Sequence, residues 1–191
     1  RIQMFLAGAF IAVGSLYAQT PASEWKAGVA KLKETIQANP AQAAEEAGQM
    51  IKGKNKKNIE LLVAIGEAYL EAGKIPEAQQ YAALAKKANG KSADAAVLEG
   101  DIALKQKNAG LASQKYEEAI YFNPRCAAAY LKFADIHKMA NSSLAIEKLN
   151  QLKALQPSNT GVDKKLTEIY YLKNDFSKAA DAYSRVAMGP V

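Results

Sequence analysis

The chain has 191 residues, of which 49% are hydrophobic and 23% charged, with a formal net charge of +6. That is ample apolar material for a well-buried unit and too much for a disordered one. With one cysteine, Cys126, and one histidine, His137, the sequence excludes an intrachain disulfide and a zinc site built from several such ligands.

In chain order the first element is an apolar run from Met4 to Val13, preceded by Arg1 and followed by Gly14, Ser15, Leu16, Tyr17, Ala18 and Gln19. A cationic start, a short apolar stretch and a small residue before a polar one predict a secretory signal peptide over residues 1–18. The run is shorter than the roughly 20 apolar residues of a spanning helix, so no stable membrane span is expected after cleavage. The end Leu16-Tyr17-Ala18-Gln19 resembles signal-peptide ends common in Bacteroidota. That resemblance implies an exported protein, periplasmic or associated with the envelope.

Residues 19–58 predict a degenerate helical hairpin, with Trp25, Val29, Leu32 and Ile36 on one face and Ala44, Ala47 and Ile51 on the next. Lys52, Lys54, Lys56 and Lys57 alternate with Gly53 and Asn55, the pattern of a solvated turn. No aromatic lies among these lysines to stack a base, and with the export signal this argues against nucleic acid as a partner.

The next unit, residues 59–92, places Leu62, Ile65, Gly66 and Tyr69 on one side of a helix, turns at Ala72-Gly73-Lys74, and continues with Ala78, Ala82 and Ala85. Residues 93–126 repeat it with Gly100, Ala112, Tyr116 and Ala119, stopping at Asn123-Pro124. Residues 127–159 carry Tyr130, Phe133, Ala134, His137, Ala145, Leu149, Leu152 and Pro157, with the turn at Asn141-Ser142-Ser143 one residue shorter. Residues 160–191 supply Leu166, Thr167, Tyr170, Phe176, Ala179, Tyr183 and Val186, and the array is expected to run on beyond Val191.

Ala44, Ala78, Ala112, Ala145 and Ala179 thus recur at intervals of 34, 34, 33 and 34 residues. A fixed period of this size marks stacked helical hairpins, each burying its apolar face on its neighbours. Small residues at the period let the helix backbones approach. The pattern resembles the tetratricopeptide repeat family, with departures at Glu99, Ala103 and Asp163. The resemblance implies an all-α, right-handed solenoid whose first helices line a concave, partner-binding groove.

About 100° round from the packing face, the first helices carry Val63, Glu67 and Leu70; Val97, Asp101 and Leu104; Leu131, Asp135 and Lys138; and Lys164, Glu168 and Tyr171. These are the expected partner-binding residues, and the middle member of each set is acidic. Some family members grip a peptide carboxylate with Lys three residues before the small slot and Asn one after it. Here the lysine slots hold Val63, Val97, Leu131 and Lys164, and the asparagine slots hold the four acids. A carboxylate would meet repulsion, which predicts protein segments bearing Lys or Arg beside apolar anchors.

No constellation for catalysis, metal or cofactor binding emerges, and His137 fills a slot held elsewhere by Tyr69 and Tyr170. The expected function is a protein-interaction scaffold in the cell envelope. The alternatives are a glycan-binding or nutrient-uptake component, with Tyr121, Phe122 and Tyr171 as its aromatics, or the repeat arm of a larger enzyme.

Overall fold

A computed structural model of the chain describes residues 22–187. The expected signal peptide lies outside the described residues. Within them the chain forms ten α-helices, a short 3-10 segment and no strand. The helices pair as α1 (Ala22–Ala38) with α2 (Pro40–Met50), α3 (Ile59–Glu71) with α4 (Ile75–Ala88), and α5 (Ala93–Lys105) with α6 (Ala109–Phe122). Two more pairs follow, α7 (Ala127–His137) with α8 (Ser142–Leu155) and α9 (Thr160–Leu172) with α10 (Phe176–Ala187).

Most helix starts are fixed by a side chain that satisfies a backbone N–H with no intrahelical acceptor. Asn39, Asn58, Asn108, Asn141 and Asn159 accept such bonds, as do Ser92 and Asp175. Gly73, Lys107 and Asn174 take left-handed backbone at equivalent points of three hairpin turns, with φ of 74°, 60° and 59°. The shorter turn of the α7–α8 hairpin has no such residue, and α7 ends three residues past Ala134, where α3 and α5 run five past Gly66 and Gly100. The missing residue is absorbed by ending the first helix early.

Ala78, Ala112 and Ala145 are fully buried and Ala179 nearly so, as the period requires. Ala44 departs from it: it is exposed, and Ala43 and Ala47 fill the crossing instead. The cap at Asn39 sets the phase of α2 one residue earlier, and the extra residue is taken up before α3, where the lysine run forms the 3-10 helix Gly53–Lys57.

The core is a relay of three adjoining clusters. The first runs from Trp25, Leu32 and Ile36 to Leu98 and Ile102; the second takes Val97, Tyr116 and Phe133; the third takes Tyr130, Leu149, Leu152 and Ile169. The handover helices α5 and α7 each place buried residues in two clusters. Gly66 is small because a Cβ there would lie 2.5 Å from Leu98 Cδ2, the side chain of the next hairpin. At Gly100 a Cβ would overlap the Tyr116 ring.

The unexpected residues in the repeat are all accounted for by packing. Ala103 is buried, Glu99 pairs with Lys86 and Lys115, and Asp163 is buried at 1% exposure between Lys153 and Arg185. In the last hairpin the expected packing residues Phe176 and Tyr183 are instead 58% and 61% exposed.

Candidate partner-binding groove

Three successive first helices, α3, α5 and α7, border an open depression of about 640 Å³. Glu67, Leu70 and Glu71 come from α3, Asp101, Leu104 and Lys105 from α5, and Lys132 from α7. The repeat produces this juxtaposition: residues 34 apart occupy the same place on consecutive first helices, so Glu67 stacks beside Asp101 and Leu70 beside Leu104. None of the lining residues is aromatic.

The four acids share a position in the repeat but not an environment. Glu67 has neither an ion pair nor a hydrogen bond among the described residues. It keeps an open route to solvent, yet the walls of the depression strip part of its hydration. That loss of water, and then the Asp101 charge, push its carboxyl above the ordinary range, against the opposing pull of Lys132. Asp101 accepts a hydrogen bond from the Tyr116 hydroxyl at 2.7 Å and an ion pair from Lys132 Nζ at 2.9 Å, both on Oδ1. Burial and this bond hold the Tyr116 hydroxyl protonated well above the usual phenol range.

Further along, Asp135 and Glu168 are neutralised by lysines of their own chain. Lys165 reaches Asp135 at 2.6 Å and Glu168 at 2.8 Å, while Lys138 reaches Glu168 at 2.5 Å and Asp135 at 3.1 Å. Lys138 and Lys165 hold the Glu168 carboxyl below its ordinary range. Burial alone would lower Lys165, but Asp135 and Glu168 outweigh it and raise it. Each bridge is partly exposed and worth about 0–1 kcal/mol singly, but together the four close the square.

The other expected groove residues are distributed unevenly. Val63, Leu70 and Val97 are 8%, 6% and 6% exposed, so they belong largely to the stack and only Leu70 borders the depression. The cause is that each first helix is flanked by two others, which absorb the residues beside the acid. Leu104 is exposed, Leu131 half-buried, Lys164 exposed, and Tyr171 stands 64% exposed with its ring edge-on to Phe176. The aromatic pair Tyr121–Phe122 lines no part of the depression.

Lys132 and Lys165 were not among the expected residues. They sit 33 apart, each three residues before an acid, and that spacing is the signal that marks them. His137 is half-buried, its ring tilted against Phe133 at 4.3 Å between ring centroids, with its Nε2 2.8 Å from Ser113 Oγ. Burial pushes the Cys126 thiol up, which leaves it a poor nucleophile. Among the described residues no cluster of three or more His, Cys, Asp or Glu is arranged to hold a metal, and no helix is long and apolar enough to cross a membrane.

No protein-family model and no curated protein matches the sequence. Solved structures do. MamA from Desulfovibrio magneticus RS-1 is 19% identical over 88% of this chain and 96% of its own, with a TM-score of 0.59. TTC0263, a thermophilic TPR protein of Thermus thermophilus, is 15% identical over 86% and 91%, with a TM-score of 0.64. A tetratricopeptide repeat protein from Parabacteroides merdae is 17% identical over 90% and 68%, with a TM-score of 0.60. With its helix pairs, its period and these likenesses, the chain has the fold of a tetratricopeptide-repeat α-solenoid.

Proposed function

We propose that the chain is a non-enzymatic protein-interaction scaffold that holds an extended or helical partner segment in the depression across α3, α5 and α7. The segment carries a Lys or Arg side chain that meets Glu67, with aliphatic neighbours against Leu70 and Leu104. The observation that carries this reading is the contrast among the four acids: Glu67 alone lacks a partner within the described residues, whereas Asp101, Asp135 and Glu168 each have a lysine. A partly dehydrated carboxylate beside exposed leucine gains most from a cation that brings its own apolar stem. Asp101, fixed by Tyr116 and Lys132, orients the site and adds to its negative field.

The apolar leader from Met4 to Val13 supports placing this activity in the cell envelope, on an exported protein. Calorimetric titration with two peptides of matched length, one with lysines and one with glutamates between leucines, tests the proposal. The basic peptide is expected to bind more tightly and to weaken as salt is added; tighter binding of the acidic peptide overturns the reading.

A further inference from the structure

The depression across α3 and α5 carries more charge than Glu67, and the repeat sets that charge out in rows. Glu67 and Asp101 form one row, Leu70 and Leu104 a second, and Glu71 and Lys105 a third, each pair 34 residues apart. Along each helix the third row lies one turn, about 6 Å, beyond the first. The first row is acidic on both helices, whereas the third changes sign between them.

Most of these charges are neutralised within the chain. Lys33 of α1 reaches Glu71 at 2.7 Å, and Lys132 of α7 reaches Asp101 at 2.9 Å. Lys105 stands four residues after Asp101, the spacing of a pair on one helix face, but Asp101 Oδ1 is already taken by Lys132 and the Tyr116 hydroxyl. Two exposed lining charges are left, Glu67 on α3 and Lys105 on α5, neither with an ion pair or hydrogen bond among the described residues. What the depression offers a partner is therefore one negative and one positive charge at opposite corners, with Leu70 and Leu104 between them.

Resting on the reading of this depression as a partner-binding groove, we propose that its occupant is a dipolar, extended segment. Such a segment carries Lys or Arg at one position, an aliphatic residue two further on and Asp or Glu two beyond that. Its cation meets Glu67, its aliphatic side chain lies against Leu70 and Leu104, and its carboxylate meets Lys105. The corners fix the spacing. With one turn of rise along the helices and an axis separation of about 8–10 Å across them, the backbones at 67 and 105 lie roughly 10–12 Å apart. In an extended chain residues i, i+2 and i+4 point to one side, and i to i+4 spans about 13 Å. The long side chains of Glu67 and Lys105 absorb the difference. In a helix i and i+4 are only about 6 Å apart, too close to reach both corners. A segment with cations at both ends sets one of them against Lys105, so like charge selects against it.

Calorimetric titration of blocked peptides of matched length tests this. One contains Lys-Ser-Leu-Ser-Glu, a second has Gln in place of the Glu, and a third has Gln in place of the Lys. The parent is expected to bind the dipolar peptide about two- to fivefold more tightly than the second, the range for an exposed ion pair. Lys105→Gln, at an exposed position, removes that preference while leaving the helical circular dichroism unchanged. A parent that binds the second peptide as well as the dipolar one, or a preference that survives in Lys105→Gln, overturns the proposal. The third peptide reports on the groove itself. If the parent discriminates against it and Glu67→Gln does not, the groove reading stands even where the dipolar one has failed. Absence of binding by all three peptides overturns both.

Discussion

The two halves of the candidate groove carry two acids each in the same register, and only in the N-terminal half is one of them, Glu67, left without an ion pair among the described residues. In the N-terminal half, across α3 and α5, Glu67 faces an open depression with leucines beside it. In the C-terminal half, across α7 and α9, Asp135 and Glu168 are cross-linked by Lys138 and Lys165. The difference teaches that one position of the repeat takes its surroundings from what the neighbouring repeat supplies. A lysine one helical turn before the acid, present at 132 and 165, answers the acid of the preceding hairpin; the equivalent positions at 64 and 98 hold Ala64 and Leu98.

The halves are also held together differently, and breaking each in turn gives effects of decreasing size. Leu98 is fully buried and fills the space over Gly66. Leu98→Ala is expected to cost about 2–5 kcal/mol in urea unfolding, the largest loss among these variants. In the C-terminal half the corresponding tie is ionic. Asp163→Asn removes charge from a buried carboxylate between Lys153 and Arg185, at an expected cost of about 1.5–3 kcal/mol near neutral pH.

That tie has a pH signature. Burial alone would raise the Asp163 carboxyl, but Lys153 and Arg185 outweigh it and hold it below its ordinary range. Its stabilising contribution is thus full above the unfolded-state carboxylate range and is lost as pH falls through the depressed folded value. Acid titration of thermal stability is expected to fall less steeply below about pH 4 in Asp163→Asn than in the parent.

Smaller changes sharpen the contrast between the acids. Lys165→Ala frees Asp135 and Glu168 from one of their two lysines, so the C-terminal half gains severalfold affinity for a basic peptide, with under about 1 kcal/mol of stability lost. Glu67→Gln has the smallest effect on stability and the opposite sign. Because the folded-state carboxyl is raised, its charged form costs stability above the ordinary carboxylate range, so the amide is slightly more stable at pH 7, by less than about 1 kcal/mol. A melting temperature that rises as affinity falls is the mark of a residue kept for binding.

Much of this was legible in the sequence, for physical reasons. The 34-residue period, the small residues at Gly66 and Gly100, the loss of one residue between His137 and Ala145 and the row of acids all follow from helix geometry within one repeat, although the turn lies before Asn141 and the expected turn residues Ser142 and Ser143 open α8. What was hidden depends on relations between repeats. The phase of α2, which buries Ala43 rather than Ala44, is set by the cap at Asn39 and absorbed in the 3-10 segment. The ion pairs from Lys132 to Asp101 and from Lys165 to Asp135 span 31 and 30 residues, a separation fixed by the offset of successive first helices and not by the pitch of any one. Val63 and Val97 lie at the helical angle of a groove residue, but their neighbours on both sides bury them. Tyr183 has the sequence of a core residue, and its exposure depends on what stacks after it.

The central claim is that Glu67, rather than the acids of the C-terminal half, takes the partner's cation. It is tested most directly by calorimetric titration of one lysine- and leucine-bearing peptide against the parent, Glu67→Gln and Glu168→Gln. The account predicts a loss of about tenfold or more in affinity for Glu67→Gln, equivalent to about 1.4 kcal/mol, and less than about twofold for Glu168→Gln. Equal losses in the two variants, or a larger one in Glu168→Gln, would contradict it.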